Sequence, residues 1–206
     1  MLALTVFRKQ FQVITGAAAI AVSVIFASPA LSTPTEDLVG GLTSVSLSSD
    51  FVNALASLNV QSGLVTGSKI RNGAISFPIS GGAIDLGNTT LEVLHKGGLT
   101  LTAGSTRVEL ADFVITNLNG NLVLTGIVIS DGTLVGRIGL FNLGLPANAI
   151  SSSGVRLRVK NVALTLTEDA ATALNGAFSI SAFKAGFPIG TAQVNAVVDN
   201  PDVSDY

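Results

Sequence analysis

The sequence predicts a mainly β fold, either an antiparallel β-sandwich or a partly closed barrel, with two short helices. Charged residues make up only 12% of the chain, about half of their usual share in globular proteins. Val, Ile, Leu, Thr, Ser and Gly dominate the rest, which favours strands over helices. Short apolar runs are also separated at close intervals by turn-forming dipeptides, a spacing typical of an antiparallel sandwich or barrel.

The turn-forming dipeptides divide the chain into candidate strands. They are Asn72-Gly73, Gly81-Gly82, Gly97-Gly98, Asn119-Gly120, Asp131-Gly132, Ser153-Gly154 and Asn175-Gly176. Asn-Gly and Asp-Gly are the strongest hairpin signals, because both central residues of a tight hairpin turn must adopt positive φ. The apolar runs between residues 85 and 145 therefore predict a central meander.

Residues 1–30 have the three-part pattern of a cleavable signal peptide. Arg8 and Lys9 precede an apolar segment at residues 13–26, and small residues suited to a peptidase follow at 27–32. The apolar segment is about 14 residues long, shorter than the roughly 20 that a membrane-spanning helix requires. We expect export to an extracellular, periplasmic or cell-surface location, with no transmembrane span after processing.

Residues 31–198 are expected to form a single β-rich domain, and residues 199–206 a flexible tail. A chain of this size can bury a core without covalent cross-links, and it has no cysteine from which to make any. Its formal net charge of −2 makes nucleic acid an unsuitable partner. With no cysteine and one histidine, the usual structural zinc sites are excluded.

Two short helices are predicted where a capping residue precedes an amphipathic segment. Ser49-Asp50 can cap a helix whose apolar residues fall at positions 51, 54, 55 and 58, which is helical spacing. Thr167 can cap a second helix, because two acidic residues follow it in the first turn. Asn175-Gly176 is expected to end that second helix.

The two helical segments look like copies of each other. Residues 45–55 align without gaps with residues 164–174, and a Phe-Pro-Ile motif follows each of them. We interpret residues 45–81 and 164–190 as pseudo-repeated flanks around the central meander. The alternative is chance similarity between two segments that are both rich in Ser, Thr and Leu.

A cationic stripe lies on one predicted strand. Arg156, Arg158 and Lys160 alternate with apolar residues, and the apolar set then moves from odd to even positions. A strand has period two, so this change predicts a bulge near Lys160-Asn161. The three cations are candidates for binding an anionic envelope polymer. The alternative is a solvated outer face that discourages pairing with other sheets.

His95 is the only histidine and the main candidate for chemistry. It has the side chain needed to act as the base of a catalytic triad, but the chain contains no G-x-S-x-G nucleophile motif. The simpler interpretation is a half-exposed histidine at a strand end, just before the Gly97-Gly98 turn.

The sequence resembles a group of secreted bacterial proteins of unknown function over most of residues 40–195. The similar segments are Phe77–Gly82, His95–Leu101, Leu164–Thr167 and Phe187–Ala192. More distantly, the chain is similar to the HtaA-type haem-binding domains of bacterial cell-surface proteins, a resemblance that implies a secreted, β-rich haem binder. Those domains use a tyrosine as haem ligand, backed by a histidine. The only tyrosine here is Tyr206, so the ligand position does not carry over, and His95 is the candidate for the histidine.

We therefore expect an exported or envelope-associated, non-enzymatic β-domain with a binding or structural role and no cofactor. The candidate ligand-binding residues are His95, Arg156, Arg158 and Lys160, and no residue is assigned a catalytic role. The alternative is a binder of haem or another small apolar ligand, and a secreted hydrolase is a third hypothesis. A deep apolar cavity near His95 would favour the ligand binder, whereas a filled core would favour a structural role.

Overall fold

A computed structural model of the chain describes residues 35–85, 87 and 90–199. The predicted signal peptide and all of the predicted tail except Asp199 lie outside these residues. The described residues form twelve strands and two helices. In chain order they are β1 (Glu36–Leu47), α1 (Ser49–Ser57), β2 (Gln61–Val65), β3 (Lys69–Arg71), β4 (Ala74–Asp85), β5 (Thr90–His95), β6 (Gly98–Ala103), β7 (Thr106–Leu118), β8 (Asn121–Ser130), β9 (Thr133–Gly144), β10 (Ile150–Ser153), β11 (Arg156–Leu166), α2 (Glu168–Phe178) and β12 (Pro188–Val198).

Eight of the strands close into an antiparallel barrel. Their order around the ring is β7-β5-β4-β1-β12-β11-β9-β8, and β8 pairs back onto β7. The other four strands lie outside the ring: β6 pairs with the first half of β7, β2 with β6, β3 with β4, and β10 with β11. The prediction of a mainly β fold with two helices is confirmed, and of the two architectures the chain forms the barrel.

Three predicted hairpin turns have the expected backbone conformation. Both residues of Asn72-Gly73, Asn119-Gly120 and Asp131-Gly132 adopt positive φ. These last two join β7 to β8 and β8 to β9, which form the core of the central meander. Two other predicted turns are wrong, because Gly81-Gly82 lies within β4 and Asn175-Gly176 lies within α2.

Tertiary contacts explain both misplaced turns. A Cβ on Gly82 would lie 2.0 Å from the backbone oxygen of Glu92, so this glycine allows β5 to approach β4. In α2, the side-chain amide of Asn175 donates to the Phe183 carbonyl at 2.8 Å and accepts from the Phe183 N–H at 3.1 Å. Asn175 thus tethers the following loop, and the helix continues to Phe178, where Ser179 caps it in the left-handed conformation.

The two strand-to-helix junctions have equivalent geometry. Thr167 is the N-cap of α2 as predicted, whereas the N-cap of α1 is Ser48, one residue before the predicted Ser49-Asp50. Each hydroxyl accepts from the backbone N–H three residues later at 3.1 Å. Each also donates to a carbonyl of the neighbouring strand at 2.7 Å, that of Pro188 for Ser48 and that of Gly139 for Thr167. The equivalence is consistent with pseudo-repeated flanks, although the duplication itself stays a prediction.

Both helices begin at the same end of the barrel. Strands β1 and β11 both pair antiparallel with β12 and therefore run in the same direction. Helix α1 buries Phe51 and Leu55, and α2 buries Ala170, Ala171 and Leu174. The rings of Phe51 and Phe183 lie 6.2 Å apart, which joins α1 to the loop that follows α2.

The predicted bulge in β11 is present. The register between β11 and β12 slips between Val159 and Val162, and Asn161 has a φ of 57°. The bulge lets Leu157 and Leu164, which differ in sequence parity, both be buried.

Two adjacent glycines in β1 provide a test of how closely the barrel strands approach. A Cβ on Gly41 would lie 2.3 Å from the Asn195 backbone oxygen at a φ of +134°, whereas one on Gly40 would have no neighbour within 4 Å. We expect Gly41→Ala to lower the free energy of unfolding by about 2–4 kcal/mol. Gly40→Ala should change it by less than about 0.5 kcal/mol. Urea denaturation measures both, and equal effects would contradict the proposed close approach.

Candidate ligand-binding cavity

A cavity of about 320 Å³ lies inside the barrel and extends beneath the helices. Phe77, Phe113 and Ile115 line it from the barrel, and Phe51 and Leu174 line it from the helices. Its remaining walls are also almost entirely apolar. The volume falls at the lower end of the range for small-molecule sites, about 300–1,000 Å³.

The cavity reaches the surface at one side. Its lining includes Ser62 of β2 and Val135 of β9, both of which are exposed, and Ala173 and Ala177 of α2, which are half-buried. Val135 is 60% exposed although it is apolar. A ligand therefore has a route into the cavity, past residues from three separate elements.

His95 lies deep in this cavity and is only 5% exposed. The prediction that it is half-exposed is wrong, although it does end β5 as expected. In β5 the side chains of Val93 and His95 are buried and point inward. The residues that precede each of them, Glu92 and Leu94, are exposed. The end of β5 is buried because the segment that contains Gly67 and Ser68 packs closely against Gly97.

Both ring nitrogens of His95 have hydrogen-bond partners. Nδ1 lies 3.3 Å from the Phe113 carbonyl oxygen, and Nε2 lies 2.7 Å from Oγ1 of Thr43. A carbonyl oxygen can only accept, so we assign the ring proton to Nδ1. Nε2 then accepts the hydroxyl proton of Thr43, whose side chain is 3% exposed.

Burial lowers the pKa of His95 from its usual 6.5 to about 4, and backbone hydrogen bonds to Phe113 and Val93 oppose this only in part. The imidazole is therefore neutral at physiological pH. The Thr43–His95 pair has the spacing of a nucleophile and its base. A base with so low a pKa removes protons poorly near pH 7.

Among the described residues, no Asp or Glu lines this cavity. Glu109 in β7 instead lies 3.4 Å from Arg107 in an ion pair at the surface. Within the described residues, no three His, Asp or Glu side chains are close enough together to hold a metal ion.

The predicted cationic residues lie apart from the cavity. Arg156, Arg158 and Lys160 are all exposed, and none of them lines the interior. Leu157, which lies between the two arginines, is buried, so the stripe occupies the outer face of β11. Of the four residues predicted to bind a ligand, the structure places only His95 in the cavity.

Thr43 is the functional candidate that the sequence did not reveal. It has the same parity as Val45 and Leu47, so alternation alone indicates that it faces inward. Its contact with His95, 52 residues away, depends on the register of three strands. Ile79 of β4 sets that register, because it pairs with Gly41 on one side and with His95 on the other.

Neither of the helices in the described residues is long and apolar enough to cross a membrane. No family model matches the chain. No curated protein is similar to it in sequence.

Solved structures show that the chain has the fold of HtaA-type domains. The C-terminal domain of HtaA from Corynebacterium glutamicum is 18% identical with a TM-score of 0.61, covering 80% of this chain and 99% of that one. The N-terminal domain of the same protein is 14% identical with a TM-score of 0.57, covering 79% and 99%. The haem-binding protein HtaB from the same organism is 10% identical with a TM-score of 0.51, covering 81% and 96%. The distant similarity indicated by the sequence is confirmed at the level of fold.

The buried histidine makes stability depend on pH. Because folding lowers the pKa of His95 to about 4, the unfolded chain binds more protons than the folded chain between that value and 6.5. We expect the free energy of unfolding to decrease by up to about 3 kcal/mol as the pH falls through this window. Above the window His95 is neutral in both the folded and the unfolded chain, so it no longer makes stability depend on pH.

Urea denaturation of the unaltered chain and of His95→Gln, from pH 7.5 to 4.5, measures this dependence. The difference between the two curves isolates His95, because the carboxylates are common to both chains. Parallel curves would show that the histidine is accessible to protons in the folded state.

Proposed function

We propose that this chain is a non-enzymatic binding domain that holds a small apolar ligand inside its barrel. The observation that carries the proposal is the cavity around His95, which is almost wholly apolar and reaches the surface. A filled interior would instead have indicated a purely structural role. The export expected from the sequence would place such a binder at the cell envelope or outside the cell.

The energetics of the cavity support this proposal. An unfilled cavity costs about 24 cal/mol per Å³ in lost packing, so an interior of this size forgoes on the order of 5–8 kcal/mol. That is comparable to the whole stability of many domains, about 5–15 kcal/mol. Aliphatic and aromatic walls also form no hydrogen bonds with water, so an entering ligand displaces little ordered water from the buried part of the cavity. A ligand of matching shape therefore gains dispersion contacts with little to oppose them.

Haem is the second candidate, because the chain shares its fold with the haem-binding protein HtaB. The cavity lining is apolar, as the faces of a porphyrin require. However, Nε2 of His95 is already bonded to Thr43. Within the part of the chain that the structure describes, no Lys or Arg lines the cavity to pair with propionate groups. The lining residues therefore do not fit haem in this arrangement.

A cavity-filling variant tests the main proposal. The neutral fluorophore N-phenyl-1-naphthylamine should bind the purified chain with a rise in emission. Ala173→Phe places a ring in the cavity lining of α2 and should weaken binding at least about tenfold, equivalent to about 1.4 kcal/mol. Thr172→Phe adds the same ring to the exposed face of the same helix and should leave affinity unchanged. Equal affinities for both variants, or no binding by the unaltered chain, would refute an interior site.

Haemin titration tests the second candidate. We expect no Soret band shift that depends on His95, because Thr43 occupies the one nitrogen free of the backbone. Absorption spectra of the unaltered chain and of His95→Ala, each with added haemin, make the comparison. A shift that is present in the first and lost in the second would establish haem as the ligand.

A further inference from the structure

We infer that the ligand is a neutral molecule whose apolar body ends in a hydroxyl or another hydrogen-bond donor, which donates to Oγ1 of Thr43. The inference rests on the proposed function and specifies the chemistry of the ligand. It follows from the polarity, the hydrogen-bond direction and the charge of the cavity lining.

The polar groups of the cavity lie in two places. Of the polar residues that the described lining contains, Thr43 and His95 are buried, with exposures of 3% and 5%. Ser62 is exposed and Ser130 is half-buried. A ligand that fills the cavity therefore meets one buried polar site, while the two serines are accessible to water.

At the buried polar site, each hydrogen bond has a fixed donor and a fixed acceptor. The Phe113 carbonyl fixes the ring proton of His95 on Nδ1, so Nε2 must accept the proton of Thr43. Oγ1 of Thr43 has then used its only proton and retains lone pairs. The buried polar site accepts from a ligand but does not donate to one. A ketone or ether placed there would set its own lone pairs against those of Oγ1 and remain unpaired.

The described lining of the cavity also offers no partner for a charged ligand. It includes no Lys, Arg, Asp or Glu, and His95 is neutral. Burying a carboxylate or an ammonium group without a counter-charge is strongly unfavourable. A neutral donor such as an alcohol satisfies Thr43 without this penalty, so hydrogen-bond direction and neutrality together select the ligand.

A series of ligands of matched length tests the inference. N-phenyl-1-naphthylamine is displaced from the unaltered chain at pH 7.5 by 1-decanol, 2-decanone, 1-methoxynonane and decanoate. We expect 1-decanol to displace it at concentrations at least about tenfold lower than the ketone, the ether or the carboxylate. If the ketone or the ether competes equally well, the inference is wrong, although the proposed function stands. If the probe does not bind at all, the proposed function fails.

Variants of Thr43 locate the preference. Thr43→Val alone would free Nε2 of His95 to accept from a ligand. Thr43→Val is therefore combined with His95→Leu, which removes both acceptors and should abolish the advantage of 1-decanol over 2-decanone. Thr43→Ser keeps the hydroxyl and should keep the preference, which also covers the case in which the double variant does not fold. Thr100→Val is the matched control, because Thr100 is buried at 4% exposure and does not line the cavity. An advantage for 1-decanol that survives in the Thr43→Val/His95→Leu double variant would overturn the inference.

Discussion

Closure of the eight-stranded ring is the constraint on which the rest of the structure depends. Once β8 pairs with β7, every ring strand has one face turned inward, and the ring size sets the volume that those faces enclose. Eight strands give an interior that side chains can just fill, or that can hold one small ligand. Which outcome occurs depends on the size of the inward side chains. Here Thr43, Ala170 and Ala192 are small residues in the lining, and the interior stays partly empty.

Two features that lower stability occur together in this interior. One is the cavity itself, and the other is a histidine buried deeply enough to depress its pKa to about 4. Hydrogen bonds from Thr43 and to Phe113 satisfy both ring nitrogens, so His95 is not left unpaired. Replacing the pair with packed hydrophobic residues would avoid both costs. Local departures of this kind from optimal packing are most common at functional sites, where stability is exchanged for activity.

Local chemistry determined most of what the sequence could predict. Asn-Gly and Asp-Gly turns, the Thr167 cap and the bulge at Lys160-Asn161 each depend on a few neighbouring residues. The wrong predictions concern residues at which tertiary contacts override local preference. At Asn175, for example, the side-chain amide binds the backbone of the following loop, and the helix continues past it. Alternation with Val93 indicates that His95 is buried, whereas the adjacent glycines indicate an exposed strand end, and the structure follows the alternation. The Thr43–His95 contact has no local signal, because it depends on the register across β4.

The similarity to HtaA and HtaB domains shows that the fold is shared when sequence identity falls to 10–18%. A fold is a property of many side chains, so it tolerates extensive substitution. The chemistry of the interior depends on the few polar residues that face it, and one or two substitutions can change it completely. In the described part of this chain those residues are a neutral histidine and a threonine, with no cation in the cavity lining. We propose that such a site distinguishes its ligands by the direction of a single hydrogen bond, because its lining offers neither a charge nor an unpaired ring nitrogen.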